Sequence, residues 1–391
     1  MNNVIVSYSR TPIGSFLGLL GGIPATRLGA HAIRGVLEKV NLDKNIVDQV
    51  IMGNVLSAGI GQAPSRQASL YADIPTSVDS LTINKMCGSG LQSIMLADGL
   101  IKNNPNKVIV AGGMESMSRS PHYLLNSRHG TRLGYGKIVD GMIVDGLWDV
   151  YNDKHMGNCA EMCADKYGLT REEQDEYAIR SYERAQKSIE SGKFRNEIFP
   201  IEVHSKNKST LVSNDEEPNR VSFEKLKKLK PVFQKDGSVT AGNASTINDG
   251  AAACLIMSGN KAEELGLNPI AEIIGHTSYS SDPQWFTTAP IFSTRKLLDM
   301  HKLDVSDIDL FEINEAFSVV ALAAIKEMKL DIETVNIYGG AVSMGHPIGA
   351  SGARIVSTLL NSLKSENKEI GLASICIGGG EASSILLKRK F

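Results

Sequence analysis

Hydrophobic and polar positions in the first 119 residues alternate between two periods. Short apolar runs at 4–7 and 49–52 predict strands, and apolar residues at helical spacing over 26–40 predict a helix. A strand-like run at 78–83 is followed by a helix-like run at 91–101, and a strand at 107–111 leads into Gly112-Gly113-Met114-Glu115-Ser116. Such alternation predicts an α/β fold with a mostly parallel sheet and helices on its faces.

The last 120 residues repeat this order. Asp48-Gln49-Val50-Ile51-Met52-Gly53-Asn54 resembles Ile308-Asp309-Leu310-Phe311-Glu312-Ile313-Asn314. The glycine-flanked Cys87 unit resembles Gly345-His346-Pro347-Ile348-Gly349-Ala350-Ser351-Gly352, and 33 residues separate Asn54 from Cys87 where 32 separate Asn314 from His346. Landmarks that keep order and spacing together point to two copies of one α/β unit. The organisation expected is a first half at 1–119, completed by 246–267, an inserted lobe at 120–245, and a second half at 268–391. The insertion carries a polar, glycine-bearing stretch at 126–136, a charged helix-like run at 171–191 and a basic run at 220–230. Lobes inserted beside α/β sheets often cover a ligand.

Composition narrows the function. A net charge of -2 argues against broad nucleic-acid or membrane-surface binding, and the longest apolar runs fall short of the ~20 residues needed to cross a bilayer. The N-terminal residues lack the basic start and apolar core of an export signal, and five cysteines, an odd number, suit reduced thiols in a cytoplasmic protein.

The chemistry concentrates where ligands bind in open α/β sheets, at strand C-terminal ends. Cys87, in Asn84-Lys85-Met86-Cys87-Gly88-Ser89-Gly90, ends a strand and opens a helix. Gly88 and Gly90 there permit a sharp turn, and the helix dipole would lower the thiol pKa and favour a nucleophilic thiolate. A lone cysteine at a helix start is more often a small packed residue. His346, at the mirror position of the second copy, is the base such a thiol needs. Cys376 precedes Ile377-Gly378-Gly379-Gly380, whose bare N–H groups suit an oxyanion, and a second thiol there suits proton exchange with a carbon acid. Asn314 either hydrogen-bonds a carbonyl or a water, or caps a helix beginning at Ala316. His155, Cys159 and Cys163 share helical spacing but lack a fourth ligand, so packing is the expected reading and no metal is expected.

Together with Gly112-Gly113-Met114-Glu115-Ser116-Met117-Ser118, Thr240-Ala241-Gly242-Asn243-Ala244-Ser245 and Asn314-Glu315-Ala316-Phe317, these motifs resemble the thiolase family over essentially the whole chain. The resemblance implies a duplicated five-layered α-β-α-β-α core with an inserted loop domain, a homodimer or homotetramer, and reversible Claisen chemistry on acyl-coenzyme A. Coenzyme A enters as substrate and product, and no cofactor is implied. By the same resemblance Cys87 carries the acyl group, His346 accepts its proton and Cys376 deprotonates acetyl-coenzyme A. One oxyanion site comes from His346 and a water held by Asn314, the other from the N–H groups of Cys87 and Gly378. Leu147, His155, Met156, Ala241, Ser245, Ala316 and Phe317 match positions along the pantetheine, and Arg220 lies near the nucleotide. The 126–136 stretch and His155-Met156-Gly157 resemble the short-chain subgroup, whose members make or split acetoacetyl-coenzyme A. A degradative 3-ketoacyl thiolase and a non-catalytic acyl-coenzyme A binder are the alternatives. Thr246, Ser343-Met344, Glu381 and Trp285-Phe286-Thr287-Thr288-Ala289-Pro290 depart from the family pattern, and an aromatic at Phe286 would reshape the acyl pocket.

Overall fold

The computed structural model describes residues 2–205 and 208–390. The first half runs β1 (Asn3–Arg10), α1 (Ala25–Glu38), β2 (Gln49–Gly53), α2 (Pro64–Tyr71), β3 (Asp79–Ile83), α3 (Ser89–Asn103) and β4 (Val108–Ser116). The middle region contributes α4 (Met156–Tyr167) and α5 (Arg171–Glu190), after which β5 (Asn248–Ser258) lies between β1 and β4. The second half runs β6 (Ala271–Ser280), α6 (Ala289–His301), β7 (Leu310–Ile313), α7 (Ser318–Met328), α8 (Ile348–Ser365), β8 (Ile370–Ile377) and β9 (Glu381–Arg389).

Duplication is visible in the strand order. The first half is ordered β1-β5-β4-β2-β3 and the second β6-β9-β8-β7, with β2 parallel to β4 and β7 parallel to β8. A single parallel bridge from Phe311 to Val335 stands where the second half would have its counterpart of β3. The halves join edge to edge through the short antiparallel pairing of Val4 with Glu272 and Ile5 with Ala271, giving one ten-stranded sheet among the described residues, the tenth strand being the short Gly14–Ser15 segment paired with β5.

Alternation along the strands explains the layers. On β1, Val4 and Val6 pack against α1 and α2, whereas Ile5 and Tyr8 face a central layer of α3 and α8. That layer also receives Ile273, Ala373, Ile375 and Ile385 of the second half, whose opposite face buries Phe311, Ile313 and Leu372 against α6 and α7. The result is five layers, α-β-α-β-α. Strands buried on both faces must be apolar at nearly every position, which is why these runs read as continuous rather than alternating.

In the central layer α3 and α8 cross at glycines. A Cβ at Gly90 would lie 2.7 Å from Ala353 N, and one at Gly352 would lie 2.3 Å from Leu91 N. This contact brings the N-termini of the two helices together, and with them Cys87 and His346.

Candidate active site

The Cys87 turn is strained at Met86 rather than at a glycine. Met86 has φ 46°, while Gly88 sits at φ −80° as the residue before α3. Side chains hold the turn: Asn84 Oδ1 accepts Met86 N–H, and Ser89 Oγ accepts Lys85 N–H while donating to Met86 O at 2.6 Å. Gly88 and Gly90 serve close approach instead, since a Cβ on Gly88 would lie 2.4 Å from Ile377 Cδ1. The expectation that these two glycines make the bend is corrected accordingly.

Cys87 is half-buried, and the N–H of Gly378 points at its sulphur. The sequence led us to expect a lowered thiol pKa. Burial instead pushes it up to about 11, outweighing the N–H groups of Gly378 and Cys87, and the nearby Glu115 carboxylate adds to the rise. The resting nucleophile is therefore a thiol that needs a base.

His346 is placed and polarised by its neighbours. Its N–H donates to Asn248 Oδ1 at 3.0 Å, an oxygen that also accepts the Thr246 hydroxyl. Gly345 before it has φ 106°, a backbone conformation that only glycine adopts readily. His346 Nδ1 lies 2.6 Å from Ser351 Oγ, whose own proton goes to Pro347 O at 2.9 Å. With that proton committed, Ser351 accepts and Nδ1 carries the ring hydrogen. Nε2 is then a bare lone pair, buried and without a hydrogen-bond partner among the described residues. Burial, with the Arg354 charge adding to it, pushes the imidazole down to about 3, so it rests neutral and able to accept a proton.

Cys376, near the end of β8, is buried in the layer beside α6 and α7, with the N–H of Ala316 directed at its sulphur. Burial and the Cys87 sulphur raise its pKa well above the usual thiol range. Asn314 is fully buried after β7. The helix that follows starts at Ser318, with no side-chain cap from Asn314 or Glu315, so the capping alternative is excluded. Asn314 Oδ1 accepts from Arg354, and its Nδ2 has no partner among the described residues.

A cavity of about 270 Å³ unites these groups. Cys87, His346 and Gly378 line it, as do Leu147, His155, Met156, Ser245, Ala316 and Phe317. Cys376 and Asn314 lie behind its surface, whereas Ala241 and Arg220 are exposed outside it. His155 Nδ1 accepts Gly157 N–H at the start of α4, which leaves Nε2 as the ring's donor. Among the described residues no group of three or more His, Cys, Asp or Glu side chains converges as a metal site, His155, Cys159 and Cys163 included.

The family follows from comparison. The thiolase N-terminal domain matches residues 3–260, and the thiolase C-terminal domain matches residues 267–389. The chain belongs to the thiolase family. This thiolase is 52% identical to acetyl-CoA acetyltransferase 1 of Arabidopsis thaliana over 98% of its length and 93% of that protein. It is 49% identical to the acetyl-CoA acetyltransferase of Pseudomonas aeruginosa over 99% of both chains. The Acat5 thiolase from Ascaris suum, solved in complex with coenzyme A, superimposes with a TM-score of 0.95 at 43% identity over all of both chains. The Bacillus anthracis acetyl-CoA acetyltransferase does so at 0.97 and 41% identity, over all of this chain and 99% of that one.

Several residues that shape the thiolase cavity escaped the sequence reading. Phe233 stacks on His155 with ring centroids 4.8 Å apart and meets Phe317 edge-on at 6.1 Å. Its one trace in the sequence is Gly157, where a Cβ would lie 2.2 Å from the Phe233 ring. Phe286, which the sequence does single out as an aromatic at the acyl pocket, closes the wall, tilted against Phe317 at 6.5 Å. Glu115, within the Gly112–Ser118 motif, carries no role that its spacing reveals. Its carboxylate accepts from Asn54 Nδ2 and from the N–H groups of Val55, Leu56 and Gly349, tying the first half to the start of α8, and burial pushes it up to about 7. The departures from the family pattern also find partners. Glu381 pairs with Lys85 Nζ at 3.0 Å beside the Cys87 turn, and Ser343 Oγ hydrogen-bonds Ser181 Oγ at 2.9 Å.

Proposed function

We propose that this thiolase is an acetyl-CoA C-acetyltransferase, joining two acetyl-coenzyme A molecules into acetoacetyl-coenzyme A and free coenzyme A, and running the reverse thiolysis. The observation that carries this reading is the meeting of the Cys87 thiol, the unpartnered Nε2 of His346 and the Gly378 N–H on one cavity. His346 Nε2 takes the Cys87 proton as the sulphur attacks the thioester carbonyl. The carbon–sulphur bond to coenzyme A then breaks, leaving acetyl-Cys87. The departing thiolate takes the Cys376 proton, and the Cys376 thiolate removes a proton from the methyl group of a second acetyl-coenzyme A. That carbanion attacks acetyl-Cys87, and the released sulphur recovers its proton from His346. Two thiols that rest protonated suit this exchange, since each is ionised only while a bond is being made or broken. The N–H groups of Cys87 and Gly378 serve one developing oxyanion, and His346 with a water held by the Asn314 amide serves the other.

Coenzyme A threads past Leu147, His155, Met156, Ser245, Ala316 and Phe317, with Ala241 farther along the pantetheine outside the cavity and the nucleotide near Arg220 of the lobe at 120–245. It is substrate and product, and the reaction uses no resident cofactor or metal. The aromatic wall of Phe233, Phe286 and Phe317 favours short acyl groups over the longer chains of a degradative 3-ketoacyl thiolase. The open edge at β3, with Leu81 42% exposed, and the fully exposed Leu133 and Tyr135 fit self-association as a homodimer or homotetramer. Among the described residues no helix is long and apolar enough to cross a membrane, and all five cysteines are free, which fits a reducing, cytoplasmic setting.

Incubation with acetyl-coenzyme A followed by intact mass should show a thioester-labile acetyl group on Cys87, absent in Cys87→Ser. No adduct on the wild type would point to a binder without turnover. A thiolysis panel of acetoacetyl and longer 3-ketoacyl substrates tests chain length, and a strong preference for long chains would establish the degradative alternative.

A further inference from the structure

Arg354 on α8 is 2% exposed, and such a residue is seldom buried without full pairing. Its Nη1 lies 3.5 Å from Glu312 Oε2, and its Nη2 lies 3.4 Å from Asn314 Oδ1. Nε and Nη1 find no hydrogen-bond partner among the described residues, and neither does Glu312 Oε2. The other carboxylates within electrostatic reach are engaged elsewhere. Glu197 accepts from Arg10 Nε at 2.6 Å and from Thr358, while Glu315 accepts from Tyr177, Ser181, Asn336 and the Val342 N–H. A cation is thus held under the site with loose neutralisation, an arrangement that costs stability unless it does something.

Its position beside Asn314 gives it a task. A guanidinium has donors and no acceptor, so the Asn314 side chain must present its oxygen to Arg354 and aim its amide N–H₂ away. That amide nitrogen is the atom left unpartnered, two residues before Ala316 on the cavity wall. We infer that Arg354 is a positioning residue for the carbon–carbon bond-forming step, locking the Asn314 amide so that its N–H₂ holds the water that serves the enolate oxyanion and placing positive charge behind it. The same charge helps to keep His346 neutral. The inference rests on the proposed condensation, and it separates two steps of it. Acetylation of Cys87 uses the N–H groups of Cys87 and Gly378, whereas condensation uses Asn314.

The test compares Arg354→Lys, Arg354→Met and Asn314→Ala, alone and combined, in the full-length protein, with melting temperature as the check on folding. Acetylation of Cys87 is followed by intact mass and condensation by acetoacetyl-coenzyme A formation. Arg354→Met should slow condensation about tenfold or more, the scale of losing an oriented oxyanion donor, with acetylation changed far less and Arg354→Lys in between. In the Asn314→Ala background Arg354→Met should add little, because the group it orients is gone. Equal losses in both steps, no loss in a folded variant, or full additivity with Asn314→Ala would overturn the inference. Should neither Arg354 variant fold, Asn314→Asp decides. A carboxylate beside an under-neutralised Arg354 should raise the melting temperature as condensation is lost, and a melting temperature at or below wild type would overturn the inference. A wild type that forms no acetyl-Cys87 defeats the functional reading itself, whereas an acetylated wild type with indifferent Arg354 variants defeats only the role of Arg354.

Discussion

Replacing Gly352 with alanine should separate the two catalytic turns without touching either. The added Cβ would lie 2.3 Å from Leu91 N and 2.8 Å from Leu91 Cβ, about 1.1 Å inside an ordinary contact of ~3.4 Å. The obstacle is the backbone of α3, which cannot swing aside as a side chain would. Relief requires α3 and α8 to move apart by roughly that distance, and Cys87 and His346 each sit two residues ahead of those helices. Overpacking of this kind costs about 1–3 kcal/mol, partly offset by the ~1 kcal/mol that alanine gains over glycine within a helix. A shift of about 1 Å between nucleophile and base should slow acetylation of Cys87 by about 10²-fold. Gly99→Ala is the internal control. It lies on α3 with nothing within 4 Å of its added Cβ, so it should stabilise the protein by about 0.5–1 kcal/mol and leave acetylation unchanged. Rapid-quench intact mass with acetyl-coenzyme A measures the rate, and thermal melts measure the stability. A Gly352→Ala protein that acetylates at the wild-type rate with an unchanged melting temperature would refute the claim that this contact sets the geometry.

Further outcomes follow from the same geometry. Ser351→Ala removes the acceptor that holds the hydrogen on His346 Nδ1, so acetylation of Cys87 should fall about 10- to 100-fold with a stability loss near 1 kcal/mol, and a full acetylation rate would show that the tautomer is set elsewhere. Cys87→Ser should abolish acetyl transfer while keeping the fold, since a neutral hydroxyl is a far poorer nucleophile than a thiolate; steady turnover in that variant would reject Cys87 as the acyl carrier. His346 titrates near pH 3 when folded but near 6.5 when unfolded, so the unfolded chain binds more protons between those values and acidification through that window destabilises the protein by up to about 1.4 kcal/mol per pH unit. Buried Glu115 and Glu312, raised to about 7 and 8, act in the opposite sense, their contribution being lost as pH rises through those values. The His346 part is therefore read as a difference, and the melting temperature of His346→Gln should fall less steeply below pH 6.5 than that of the wild type; parallel curves would contradict it.

Local pattern carried most of the architecture. Apolar runs such as Val4-Ile5-Val6 and Val108-Ile109-Val110 report strands covered on both faces, because each successive side chain meets a different helix layer. The matched spacings around Cys87 and His346 report two copies of one unit whose helices begin at equivalent turns. Residue type and spacing encode periodicity and turn chemistry directly, so these features were legible. Protonation and orientation were not. The dipole at the start of α3 pointed to a depressed Cys87 pKa, but desolvation raises it, and desolvation depends on which distant segments close over the sulphur. The His346 tautomer is set by Ser351 and Pro347, the Asn314 amide by an arginine 40 residues away, and the cavity wall by Phe233, which reaches across from a basic, aperiodic stretch. Residue order is enough to name the groups available and the helix and strand ends that carry them. Which of those groups are charged, which way they face and which lone pair is left open emerge with folding, because those properties come from burial and from hydrogen-bond partners that lie far apart along the chain.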